Sequence, residues 1–171
     1  MSATAERHLE TPIAVCPDTL GKLGLSAARA FREDFRGRMI GPIPPIISFA
    51  DAIDCDPVFV ELGLAEGLAD EWRKRRRLAW ACDISGPLTN QLDQALRGIG
   101  LQMIGASGEL LGADRAVAES LASAKTRHGS FTTSEFARDL GLTRLAARNR
   151  LVSLARPGMV ERVGTQSWRA H

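Results

Sequence analysis

The stretch 130–170 constrains the fold more tightly than any other part of the chain. Phe136, Ala137 and Leu140 fall on one helical face, Gly141 interrupts the pattern, and Ala147, Leu151 and Leu154 resume it. Thr133 stands where a cap for the first helix belongs, with Glu135 in its first turn, and Thr143 stands before the second. Residues 159–163 then read as a short apolar strand and 166–169 as another, with a polar tip between them.

Helix, tight turn, helix and β-hairpin is the layout of a winged helix-turn-helix, and the job it implies is holding double-stranded DNA. With Ala147, Leu151 and Leu154 turned inward, Arg144, Leu145, Arg148 and Asn149 face outward near the N-terminal end of the second helix. Arginine can bond bidentately to guanine and asparagine to adenine. Thr133, Ser134 and Thr143 suit phosphate contacts beside helix N-termini. Arg162, Thr165, Gln166 and Arg169 sit on the hairpin, within reach of backbone or minor groove. Trp168 is expected to anchor the second hairpin strand against the core. The net charge of +2 says little about partners, but from Ser130 onward seven arginines face three acids (Glu135, Asp139 and Glu161).

Upstream, strand and helix alternate from 12 to 124. Residues 12–15 read as a strand and 18–21 as a turn. Ser26 is placed to cap a helix over 27–37 that carries Ala28, Phe31 and Phe35. The 41–45 segment, Gly-Pro-Ile-Pro-Pro, breaks the pattern before a strand over 46–52. Asp56 followed by Pro57 signals a helix start, with Val58, Leu62, Ala65, Ala69 and Trp72 as its apolar stripe and the run 73–77 as its cationic end. A strand over 78–84, a turn over 85–87, a helix over 88–97, a strand over 101–104 and a Gly-rich loop over 105–112 follow. The last upstream helix, 113–127, turns Val117, Leu121 and Ala124 inward. Such alternation argues for an α/β layer architecture.

The motifs 46–53 (IISFADAI), 54–62 (DCDPVFVEL) and 78–92 (LAWACDISGPLTNQL) resemble those of a STAS domain, the fold shared by anti-sigma-factor antagonists and sulfate-transporter tails. The resemblance implies a STAS-like sheet with helices over 12–112 and makes a kinase-like ATPase a candidate partner. It places a partner or regulatory site at Asp54, Cys55 and Asp56. Antagonists of that family often carry a phosphorylatable hydroxyl there. Here the letters are Asp-Cys-Asp-Pro, so an aspartate either imitates a fixed charge or, as the residues themselves suggest, caps the helix.

Other signals are weak. Cys16, Cys55 and Cys82 are too widely spaced for a metal pair or a disulfide framework. Cys55, at a helix entrance, is a candidate for a lowered thiol pKa, whereas Cys82 reads as a buried small hydrophobe. Trp72 and Trp80 read as core, and the 73–77 run as a solvated helix end rather than a phosphate contact. His8, His128 and His171 form no cluster, and the glycines match no nucleotide fingerprint. No cofactor, metal or catalytic residue is expected. No apolar run nears the roughly 20 residues of a membrane span, so a cytoplasmic protein is expected.

The reading is therefore an α/β domain over 12–112 and a winged helix-turn-helix over 113–171, sharing the helix 113–127. It describes a homodimeric, DNA-binding transcription regulator whose first domain receives a signal or partner. The alternative is a protein-binding adaptor or antagonist that uses the winged helix as a docking surface.

Overall fold

The computed structural model describes residues 11–38, 43–156 and 158–171. The polar start of the chain, including His8, and Gly41 and Pro42 of the 41–45 break lie outside them. The fold is mixed α/β, with six helices and three sheets among the described residues. The first part contains β1 (Ile13–Ala14), β2 (Lys22–Leu23), α1 (Leu25–Arg38), β3 (Ile46–Ser48) and β4 (Asp54–Cys55). Next come α2 (57–75), β5 (Trp80–Cys82), α3 (Gly86–Gly98), β6 (Met103–Ile104) and β7 (Leu110–Leu111). The second part is α4 (Arg115–Lys125), β8 (Ser130–Thr132), α5 (Thr133–Asp139), α6 (Arg144–Ala155), β9 (Val160–Arg162) and β10 (Ser167–Ala170).

The large sheet has the order β1-β3-β5-β6-β7, and only β7 runs antiparallel to its neighbour. Strand periodicity divides its side chains cleanly. Ile13, Ile47, Ala81, Met103 and Leu111 point into a core shared with Phe31, Phe35, Phe59, Leu64, Leu88 and Leu92 of α1, α2 and α3. Of the alternate positions, Ala14, Ile46, Ser48, Trp80 and Cys82 are exposed or half-buried, while Ile104 and Leu110 at the β6–β7 end are buried in a second core. Helices thus cover one face and leave much of the other open, which is unusual for parallel strands. Trp80, expected in the core, is 40% exposed for this reason, and Trp72 is half-buried. Cys82 is likewise only half-buried, and its thiol donates to Asp83 (3.3 Å).

Two helices differ from their expected form. In α1, Ser26 lies inside the helix rather than at its cap, and Ala28 N–H bonds back to the Gly24 carbonyl at 2.9 Å. In α2, the Asp56 carboxylate does accept from Val58 N–H at 2.9 Å, with Pro57 at the start. Its buried stripe, however, is not the expected one. Phe59, Val60, Gly63, Leu64, Gly67, Leu68 and Glu71 face inward, and Leu62 is exposed. The residues Val60–Leu64 form a π-helical stretch within α2, which adds to the phase change. The glycines admit α1 at close range. A Cβ on Gly63 would stand 3.1 Å from Ala28 Cα, and one on Gly67 would collide with the buried Phe35 ring at 2.1 Å.

Residues 73–76 are exposed, as expected of a solvated helix end, and the end of α2 is in addition tied down by ion pairs. Glu71 is fully buried and accepts from Arg75 and from Arg77 Nε, the latter at 2.5 Å. Asp70 holds Arg73 (3.1 Å) and Lys74 (2.7 Å). Arg76 closes the helix in the left-handed conformation with its guanidinium 5.7 Å from the Trp72 ring centre. The 105–112 segment is also more than a loop: Leu110 and Leu111 pair with Ile104 and Met103 as β7.

A second apolar core lies between α4, α5, α6 and the antiparallel sheet β8-β10-β9. Leu121, Phe131, Phe136, Leu151, Leu154 and Trp168 fill it, together with Leu78, Ile104, Leu110 and Ala113 from the first part of the chain. Helix α4 packs on α5, α6 and β10. Among the described residues no helix is long and apolar enough to cross a membrane.

Candidate nucleic-acid interface

The second core positions a basic cleft on its outer side. Helix α6 begins where Thr143 Oγ1 accepts from Ala146 N–H at 3.2 Å. Ala147, Leu151 and Leu154 are fully buried, as their spacing predicts, so the helix is fixed in rotation. Arg144, Leu145, Arg148 and Asn149 are consequently exposed on its far side. Strand β10 is anchored by Trp168, which is buried and donates from Nε1 to Thr133 Oγ1 at 3.0 Å. The 163–166 turn is thereby held beside the start of α6, and Arg144 Nη2 donates across to Gln166 Oε1 at 2.5 Å. A cleft of about 450 Å³ opens between them, lined by Thr133, Arg144, Leu145, Arg148, Arg162, Thr165, Gln166 and Trp168. Three of these residues are arginines and none is acidic.

The arginines are not equivalent. Arg148 makes no hydrogen bond or ion pair among the described residues and is available in full. Arg162 is folded onto its own turn, donating to the Gly164 carbonyl (3.0 Å) and the Thr165 carbonyl. Arg169 pairs with Glu161 at 3.2 Å, on strands β10 and β9. Ser134, Asn149 and Thr165 are exposed. Thr133 is not. It is only 6% exposed, with its hydroxyl turned inward to accept from Trp168, so burial takes it out of the set of surface donors. Nor does it cap α5. That cap is Thr132, whose hydroxyl accepts from Glu135 N–H (3.2 Å) while the Glu135 carboxylate accepts from Thr132 N–H (2.7 Å). This backbone hydrogen bond, followed by that of the Thr132 hydroxyl, holds the Glu135 carboxyl below its ordinary range.

The segment Asp54, Cys55 and Asp56 lies elsewhere, between β4 and α2. Asp56 is the helix cap described above. Asp54 accepts from Gln91 Nε2 at 2.8 Å and lies 3.7 Å from Lys22 Nζ. Gln91 Oε1 in turn accepts from Cys55 N–H at 2.9 Å. The Cys55 thiol is buried, and burial, then the charges of Asp54 and Asp56, pushes its pKa up to about 12. The expected activation is therefore reversed: a thiolate here has lost its hydration and gained two negative neighbours. At the end of β5, Asp83 is held low by the Ser48 hydroxyl (2.7 Å) and then by Cys82. No group of three or more His, Cys, Asp or Glu side chains suited to a metal occurs among the described residues.

Comparison with protein-family models, with curated proteins and with solved structures found no match.

Proposed function

We propose that residues 113–171 form a winged helix-turn-helix that holds double-stranded DNA. In this reading α6 enters the major groove by its N-terminal face and the β9–β10 hairpin is the wing. The observation that carries it is the unpaired Arg148 beside Arg144 on a rotationally fixed helix, in a cleft without an acidic side chain. The order α4, β8, α5, α6, β9, β10, with β10 central in the sheet, supports it. The strand–helix alternation of 12–112 supports a STAS-like domain that receives a signal or partner, making the whole chain a transcription regulator. A homodimer fits this role, because paired half-sites match two-fold protein symmetry.

Titration of the full chain against genomic DNA fragments at rising salt tests the proposal. Each phosphate neutralised contributes about −0.9 to the slope of log K against log salt. Two or three contacts per protomer give a slope of about −2 to −3 per protomer. A slope near zero excludes the reading. A second reading, protein docking, has one observation in its favour. Leu145 is 68% exposed in the middle of the same surface. Docking predicts weak salt dependence and sensitivity to Leu145→Glu instead.

A further inference from the structure

We infer that the pocket between the open face of the large sheet and the second core is a binding site for a small organic anion with a flat apolar body. The pocket is bounded, about 200 Å³, and its walls come from both parts of the chain. Leu78, Trp80 and Ile104 supply the wall from the first part of the chain, and Met159 contributes from the second. Trp80 sits on β5, third of the five strands, and is 40% exposed with no helix over it among the described residues, so a large aromatic surface faces this space. At about 200 Å³ the pocket is smaller than the roughly 300–1,000 Å³ of most ligand pockets, which limits its ligand to one or two rings.

Its charge selects the ligand class. Arg77 and Lys125 line the pocket, and among the described residues no acidic side chain does. Arg77 is already engaged through Nε by the buried Glu71 (2.5 Å), so the selecting charge is that of Lys125. Lys125 Nζ donates to the Gly108 carbonyl at 2.6 Å, a neutral acceptor that leaves its charge uncompensated and further N–H donors in hand. His171 lies at the rim with its imidazole 3.9 Å from Glu161, so it adds little. A carboxylate at Lys125, with its ring against Trp80, satisfies both halves of the site. The inference does not rest on DNA binding, and either can fail alone.

Calorimetric titration of the full chain with 2-naphthoate, and with 2-naphthamide as its uncharged counterpart, tests it. The expected result is saturable one-to-one binding of naphthoate and affinity at least about tenfold lower for the amide, the scale of one charge-assisted hydrogen bond. Lys125→Gln is expected to reduce naphthoate to the amide's affinity, Lys125→Arg to keep the preference, and Trp80→Ala to weaken both ligands. Circular dichroism checks that each variant is folded. Equal affinity for the two ligands overturns the site, as does absence of saturable naphthoate binding at millimolar concentration. So does a folded Lys125→Gln protein that binds naphthoate unchanged.

Discussion

Replacing Arg144 and Arg148 together by alanine is expected to lower affinity for double-stranded DNA about 100-fold or more while leaving the circular dichroism spectrum unchanged. Each bidentate arginine–base contact contributes about 1–3 kcal/mol, and every 1.4 kcal/mol is a factor of about ten. Both side chains lie on the face of α6 opposite the buried Ala147, Leu151 and Leu154, so their loss removes no packing. The single variants should differ. Arg148→Ala removes a contact whose side chain is otherwise unused. Arg144→Ala also releases Gln166 and with it the tie between helix and hairpin, so its effect extends to the hairpin's own contacts. Arg162→Ala and Arg169→Ala should cost less, because those guanidinium groups are already spent on Gly164, Thr165 and Glu161. Unchanged affinity in the double variant would mean that α6 does not read DNA.

The largest effect on stability is expected at Glu71. Its carboxylate is fully buried and accepts from two arginines, Arg75 and Arg77, whose side chains are 32% and 15% exposed. Breaking a buried pair by deleting one partner costs about 3–5 kcal/mol, since a charge is left without compensation. The partly exposed arginines recover some hydration, which places Glu71→Ala near the lower end, at about 3 kcal/mol. Glu71→Gln keeps an acceptor for one guanidinium and should cost less. Urea denaturation measures both as a shift of midpoint at constant slope. A loss under about 1 kcal/mol for Glu71→Ala would show that the arginines find other partners without penalty.

The second core was readable from sequence because its signals are local and repeated. Ala147, Leu151 and Leu154 share one helical face, Thr143 caps that helix, and Trp168 is the only tryptophan near the hairpin. The one-residue error at Thr133 was avoidable. Thr132-Thr133-Ser134-Glu135 contains the capping-box spacing from Thr132 to Glu135. The stripe of α2 failed for a different reason. Apolar periodicity counts large side chains, but helix α1 approaches where there are none, at Gly63 and Gly67. A pair of glycines four apart was the available sign of close helix contact. Strand β7 is two residues long, too short for any period to register, and its partner β6 is equally short. The Arg144–Gln166 bond and the Gln91 clamp on Asp54 and Cys55 join residues far apart in the chain, which no local pattern encodes.

The sharing of the second core has a consequence for how the molecule comes apart. Leu78, Ile104 and Leu110 belong to the strand region of the first part yet are buried against Leu121, Phe136 and Trp168 of the second. Neither part owns all the apolar surface it needs. Melting of one must therefore expose surface belonging to the other, and heat unfolding should register as one cooperative transition rather than two. A substitution that loosens the β6–β7 hairpin would then weaken the footing of α6 without touching it.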